Sequence, residues 1–79
     1  MSDVTERLTD LVRYMVDRPD EVQVDELRDD MGARLDLTVA EEDLGKVIGR
    51  QGRTARALRC LLAARETKLD TEYDLEILD

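Results

Sequence analysis

Residues 45–59 read GKVIGRQGRTARALR, in which two glycines, Gly49 and Gly52, enclose the pair Arg50-Gln51. The apolar residues before the glycines have the i, i+3, i+4 spacing of a short helix, and those after them repeat with the same period over a longer one. Gly49 is suited to end the first helix, because glycine adopts a positive φ without the steric cost of a Cβ. Gly52 permits a close approach of backbone or ligand where the second helix begins. The sequence therefore predicts two helices joined by an exposed four-residue turn.

The flanking sequence predicts one more helix and three strands. Amphipathic periodicity indicates a helix at about 3–17, which Pro19 then terminates. Residues 22–24 and 33–39 alternate apolar with polar side chains about a turn-rich stretch, which predicts an antiparallel hairpin with one buried face. The alternation blurs near Glu26, where we expect a β-bulge. Residues 73–78 predict a final strand.

The sequence also predicts which individual side chains pack in the core. The short helix should bury Leu44, Val47 and Ile48, and the long one should bury Ala55, Leu58 and Leu62. The chain has two tyrosines and neither Phe nor Trp. We expect Tyr14 and Tyr73 to be packing residues, and Met15 and Met31 to fill the core.

The composition of the chain excludes several classes of protein. Its 79 residues suffice for one domain with one small core, which we place at 1–79. No apolar run is long enough to span a membrane, and the first residues do not resemble a secretory signal. A single cysteine and the absence of histidine leave no internal disulfide, no usual zinc site and no histidine-activated nucleophile. We therefore expect a cytoplasmic protein that is not an enzyme and uses neither a metal nor a cofactor.

Charge is segregated along the chain. The segment 46–65 contains six basic residues and no acid, whereas the remaining residues carry a net charge of −14. At 100° per residue, Arg53, Arg56 and Arg59 form a ridge opposite the predicted buried face of the long helix. This ridge starts at a helix N-terminus, where unpaired N–H groups already favour an anion. The pattern indicates a phosphate-binding surface, although a solvated helix face paired with neighbouring acids would leave the same pattern.

The motif VIGRQG at residues 47–52 resembles the hallmark of the KH domain, V-I-G-x-x-G followed by a helix. The chain as a whole is similar to the small bacterial single-KH proteins of the KhpA type. The resemblance extends over nearly all 79 residues and is strongest over 43–62. It implies the KH type II fold, an α+β fold of order α-β-β-α-α-β. A three-stranded mixed sheet is then covered on one face by helices, and the last strand runs parallel to the strand at 33–39.

The resemblance also implies a site. In KH domains the GxxG loop clamps the backbone of about four nucleotides of single-stranded RNA. Carried over by position, the clamp for the RNA backbone would consist of Gly49, Arg50, Gln51 and Gly52. The phosphate neighbours would be Lys46, Arg53 and Arg56. The residues lining the groove for the bases would be Gly45 and Ile48.

The resemblance finally implies partners. Members of this family pair with themselves or with a larger KH protein of the KhpB type, so a homodimer or a heterodimer is expected, with no membrane involved. The implied function is RNA binding, as a post-transcriptional regulator or RNA chaperone. The alternative is a protein-interaction or dimerisation module that retains the KH fold with little affinity for RNA. The strongly acidic remainder of the chain keeps this alternative open.

Overall fold

The computed structural model of the chain describes residues 3–69 and 71–78. Six elements follow one another in the predicted order, and this confirms the α+β class. They are α1 (Asp3–Met15), β1 (Gln23–Arg28), β2 (Gly32–Thr38), α2 (Leu44–Ile48), α3 (Arg53–Leu69) and β3 (Glu72–Ile77). Single turns of 3-10 helix lie before β1, before α2 and between α2 and α3.

The strands form one mixed sheet in the order β1-β2-β3. β1 and β2 pair antiparallel as the predicted hairpin, and β2 and β3 pair in parallel with Leu35 opposite Leu75. A parallel pair needs a long crossover connection, and α2 and α3 supply it. The exposed turn between these two helices is therefore held in the middle of the crossover.

The predicted bulge near Glu26 is wrong. The β1–β2 register runs unbroken from Gln23 opposite Thr38 to Arg28 opposite Ala33. Glu26 faces inward, and its carboxylate accepts hydrogen bonds from Thr5 of α1 and from Arg28. The strand alternation is thus intact, but one of its inward positions holds a hydrogen-bonded carboxylate instead of an apolar side chain.

The core lies between the helices and one face of the sheet. α1 contacts β1, α3 contacts β3, and α2 contacts both other helices. The apolar side chains that are almost fully buried come from each of these layers: Val12, Leu35, Leu37, Val47 and Leu75. In α3 the predicted face is confirmed, since Ala55, Leu58 and Leu62 are all buried. This packing fixes α3 on the sheet and α2 against the other two helices, and so positions the turn between them.

α1 ends at Met15, two residues earlier than predicted. The backbone N–H groups of Asp17 and Arg18 donate to the carboxylate of Asp43 at 3.1 and 3.0 Å instead of continuing the helix. The chain therefore turns away from the helix axis before Pro19. No helix within residues 3–69 and 71–78 combines the length and the apolar character needed to cross a membrane.

Three of the packing expectations are wrong. Ile48 was expected to be buried with the other apolar residues of its helix, but it is exposed at the end of α2. Tyr14 is 91% exposed and Met31 is 74% exposed, so neither contributes to the core. Tyr73 and Met15 pack against the core as expected. Tyr14 lies on the solvent side of α1, and Met31 lies in the turn of the hairpin, where no helix covers it.

The face of the sheet away from the core is acidic. Asp25 of β1 is the register partner of Asp36 of β2, which is in turn the partner of Glu76 of β3. Three carboxylates therefore lie side by side across the sheet. Arg34 binds the middle one with two hydrogen bonds, at 3.0 and 3.2 Å, which reduces the repulsion within the row.

Candidate nucleic-acid interface

The turn begins at Gly49, which has a backbone conformation that other residues rarely adopt. Its φ is +77° and its ψ is 170°. The Gly49 N–H donates to the carbonyl of Gly45 at 2.8 Å and closes the last turn of α2. A β-carbon at this position would lie 2.8 Å from the Cβ of Thr54, well inside any normal contact. Both the backbone angles and the neighbouring side chain therefore require glycine here.

The two residues after Arg50 also have positive φ, which makes the turn tight. Gln51 has φ +57° and Gly52 has φ +73°, and the Gly52 N–H donates to the carbonyl of Gly49 at 3.1 Å. A non-glycine residue in the left-handed region costs free energy that the surroundings must offset. Here Arg53 donates to the Gln51 side-chain oxygen at 3.3 Å. The turn presents Arg50 and Gln51 to solvent, as predicted.

Two arginines at the start of α3 flank this turn. Arg53 and Arg56 are exposed, on the side of the helix away from its buried residues. Arg56 also lies near the turn, with Nη1 3.9 Å from the position that a β-carbon on Gly52 would occupy. Arg50, Arg53 and Arg56 thus bring three guanidinium groups around the first turn of α3.

Arg59 does not belong to this group, although the sequence predicts it on the same ridge. Its Nη2 donates to the backbone carbonyl of Leu75 in β3 at 3.2 Å. At 240° from Arg53 around the helix, Arg59 lies beside the buried face, close enough for its long side chain to reach the sheet. The ridge therefore ends at Arg56, and Arg59 holds α3 against β3.

Lys46, expected to neighbour a phosphate, lies between two carboxylates. Its ammonium group forms an ion pair with Asp17 and lies 3.5 Å from a carboxylate oxygen of Asp43. The hydrogen bond that Lys46 donates to Asp17 and the charge of both acids raise the pKa of Lys46 despite partial desolvation. Lys46 is therefore a paired cation, unlike the three arginines around the turn.

Asp43 is the fully buried centre of this cluster. Burial alone would raise the pKa of its carboxyl group, but the N–H groups of Asp17 and Arg18 together with Lys46 outweigh burial, and the pKa is lowered. The carboxylate is thus kept charged inside the protein. Asp43 ties the chain after α1 to the start of α2, and so fixes the helix that leads into the turn.

The predicted base-lining residues, Gly45 and Ile48, both lie on the exposed side of α2. Ile48 is 38% exposed, whereas Val47 beside it is fully buried and Leu44 is half-buried. A β-carbon on Gly45 would meet no atom of the protein within 4 Å. The fold itself thus gives no steric reason for glycine at position 45.

Sequence reasoning missed three residues that shape this site: Asp17, Asp43 and Thr54. Asp43 follows Glu41 and Glu42 in an acidic run, and nothing in the run distinguishes the buried member from its exposed neighbours. Asp17 meets Lys46 only through the tertiary fold. Thr54 follows the second glycine by two residues, and its contact with Gly49 depends on the fold of the turn.

A βααβ unit with a GxxG turn between its helices, preceded by a helix and a strand, defines the KH domain of type II. The chain belongs to the KhpA/KhpB KH-domain family, whose model matches residues 5–77.

Similar proteins support the same assignment. The chain is 51% identical to the RNA-binding protein KhpA of Treponema pallidum over 69 residues, which cover 87% of this chain and 86% of the relative. It is 44% identical to the RNA-binding protein KhpA of Clostridium acetobutylicum over 71 residues, which cover 90% and 95%. The identity to the protein of that name from Borreliella burgdorferi is also 44%, over 87% and 84%. No solved structure matches the chain significantly.

Proposed function

We propose that this protein binds single-stranded RNA, without catalysis, by holding the sugar-phosphate backbone at the turn Gly49-Arg50-Gln51-Gly52. The peptide N–H groups of Arg50 and Gln51 and the guanidinium groups of Arg50, Arg53 and Arg56 are the donors for the phosphates, since the N–H groups of Gly49 and Gly52 already close the turn. Gly45 and Ile48 line the path of the bases. The names of the relatives and the geometry of the turn both support this assignment.

The observation that carries the proposal is the pairing state of the arginines. Arg7, Arg18, Arg28 and Arg34 each form an ion pair with a carboxylate. Among the side chains described in residues 3–64 and 71–78, no acid pairs with Arg50, Arg53 or Arg56. Arg13 of α1 and Arg59 also lack such a pair. In a chain with 20 acidic residues, three adjacent cations without a carboxylate partner point to an anion supplied by a ligand.

The number of these cations sets the expected salt dependence. Three phosphate contacts at about 0.7 each predict a slope of roughly −2 for the logarithm of the RNA association constant against the logarithm of salt concentration. The bases meet aliphatic side chains instead of aromatic rings, so we expect weak sequence preference. We expect a single domain to bind RNA with modest affinity.

The test is a double substitution at the two exposed residues of the turn, Arg50→Asp with Gln51→Asp. Both side chains point to solvent, so the fold should be retained. Binding to a labelled single-stranded RNA should fall by at least about tenfold, because a phosphate contact becomes a repulsion. The matched control is Arg13→Asp with Gln23→Asp, which makes the same change in net charge at exposed positions of α1 and β1. Equal affinities for the two double variants would contradict the clamp.

A second candidate function, dimerisation, is favoured by an apolar groove between α1 and α3. The groove has a volume of about 300 Å³ and is lined by Val4, Arg7, Leu8, Leu11, Leu58, Leu61, Leu62 and Ala64. Two of its leucines reach the surface, Leu11 with 39% and Leu61 with 56% of their area exposed. We propose that a second copy of this chain covers the groove, with a KhpB-type protein as the alternative occupant.

The charges beside the groove fit a twofold pairing. Arg7 lies on its rim and forms an ion pair with Asp3 at 2.9 Å, so the rim carries both signs. In two copies related by a twofold axis, Arg7 of one copy can therefore face Asp3 of the other. Pairing two RNA-binding turns would raise a modest affinity through the effective concentration of the second site. Such a dimer suits the expected role of a regulator or chaperone of RNA.

Sedimentation equilibrium tests the dimer. Leu61→Glu should convert it to a monomer, because the substitution places a charge in the apolar groove. Leu27→Glu is the matched control, since Leu27 is 50% exposed but lies on β1, away from the groove. A monomeric wild-type protein would contradict the homodimer, and binding to an added KhpB-type protein would then identify the alternative occupant.

A further inference from the structure

Lys46 is the one cation of the proposed RNA site with carboxylate partners among the described residues. It lies in α2, three residues before Gly49, which places it within one helical turn of the loop. Its two partners differ sharply: the side chain of Asp17 is 77% exposed, whereas Asp43 is fully buried. One partner can therefore move away from the ammonium group, and the other cannot.

The fold aligns Asp17 with Lys46 through Asp43. The buried carboxylate accepts the backbone N–H of Asp17 at 3.1 Å and lies 3.5 Å from the Lys46 ammonium group. The backbone of Asp17 is thereby held in place while its own carboxylate stays free to rotate in solvent. Asp17, which lies outside the basic segment, is therefore held in contact with Lys46.

We propose that Asp17 competes with an RNA phosphate for Lys46 and so lowers the affinity of the site for RNA. This inference rests on the proposed function. An ion pair as exposed as Asp17–Lys46 contributes little free energy, so an approaching phosphodiester displaces the carboxylate at small cost. Lys46 has three N–H donors, so it retains its contact with Asp43 while one donor turns to the phosphate. Asp17 is thus a residue that sets affinity, and Asp43 is a positioning residue.

The experiment compares RNA affinity and its salt dependence in Asp17→Asn and Asp20→Asn. Asp20 is the matched control, because it is exposed in the same linker and no ion pair within the described ranges involves it. Both substitutions remove one negative charge. We expect Asp17→Asn to bind RNA roughly two- to fivefold more tightly than the control, the range that an exposed ion pair accounts for. Its salt slope should steepen by up to about 0.7, because Lys46 no longer divides its contacts between Asp17 and the phosphate.

A double-mutant cycle shows whether the gain acts through Lys46. With Lys46→Met in the background, Asp17→Asn should give no more affinity than Asp20→Asn. The inference is overturned if Asp17→Asn matches its control in the wild-type background, or if its gain persists without the lysine.

The two proposals fail in different ways. A wild-type protein that binds no RNA at all removes the proposed function and this inference together. Wild-type binding that depends on Arg50 and Gln51 but is indifferent to Asp17 removes only the inference. Circular dichroism of each variant confirms that the fold is retained.

Discussion

The side chain of Thr54 fills the space that a β-carbon on Gly49 would need, with only 2.8 Å between that position and the Thr54 Cβ. The first residue of the turn and the second residue of α3 are thus in direct contact. The contact fixes the angle at which the long helix leaves the turn, and with it the positions of the exposed arginines.

The first prediction concerns Gly49→Ala. The substitution combines a positive φ with the contact to Thr54, so we expect it to destabilise the fold by about 1–3 kcal/mol and to weaken RNA binding. Urea denaturation and RNA titration measure the two effects. Gly52→Ala is the comparison, because a β-carbon there has only Arg56 nearby, at 3.9 Å, and should cost less. Equal losses of stability at both positions would contradict the role of Thr54.

Gly45→Ala should have the opposite effect on stability. No atom of the protein lies within 4 Å of the new methyl group, and alanine is favoured over glycine in a helix by about 0.5–1 kcal/mol. RNA affinity should nevertheless fall, by about 1–3 kcal/mol if the methyl group intrudes on a packed base. A variant that is more stable and binds RNA as well as the wild type would show that Gly45 does not line the base path.

The third prediction separates two arginines on α3. Arg59→Ala removes the hydrogen bond to the Leu75 carbonyl and should cost about 1 kcal/mol of stability with little effect on the salt slope of RNA binding. Arg56→Ala should leave stability within about 0.5 kcal/mol and reduce that slope by about 0.7. Thermal unfolding and RNA titrations at several salt concentrations distinguish these outcomes. Similar salt slopes for the two variants would contradict the division of roles.

The fourth prediction concerns the pH dependence of stability. Because the pKa of Asp43 is lower in the folded protein than in the unfolded chain, its carboxylate stabilises the fold fully above about pH 4 and loses this effect as the pH falls through the folded-state pKa. Asp43→Asn should therefore be less stable than wild type at neutral pH, and the difference should shrink in acid. Glu41→Gln, at an exposed neighbouring position, serves as the control. A difference that is constant from neutral pH into acid would exclude the charge of Asp43 as its cause.

The local parts of this fold could be predicted from the sequence. Periodicity identified the buried face of α3, and glycine spacing identified the turn, because both depend on residues within a few positions of one another. The resemblance to KH domains supplied the parallel pairing of β3, which no local pattern contains.

The features that the sequence did not reveal depend mainly on contact between residues far apart in the chain. Glu26 looked like a break in a strand because its partner, Thr5, lies on α1. The ion pair of Lys46 could not be read from the sequence either, because Asp17 reaches it only in the folded protein. Tyr14 is a different case: it was expected to be a packing residue, but its position on α1 faces solvent. Burial and pairing of polar groups are properties of the tertiary structure.

The carboxylate row formed by Asp25, Asp36 and Glu76 has a consequence for how a polyanion meets this molecule. A nucleic acid that diffuses toward the back of the sheet experiences repulsion, whereas one that approaches the helical side is attracted by the guanidinium groups there. If the turn binds RNA as proposed, we expect these opposed charges to favour encounters in which the helical side faces the RNA. The acidic face of the sheet would thus repel RNA and leave the helical side as the accessible surface.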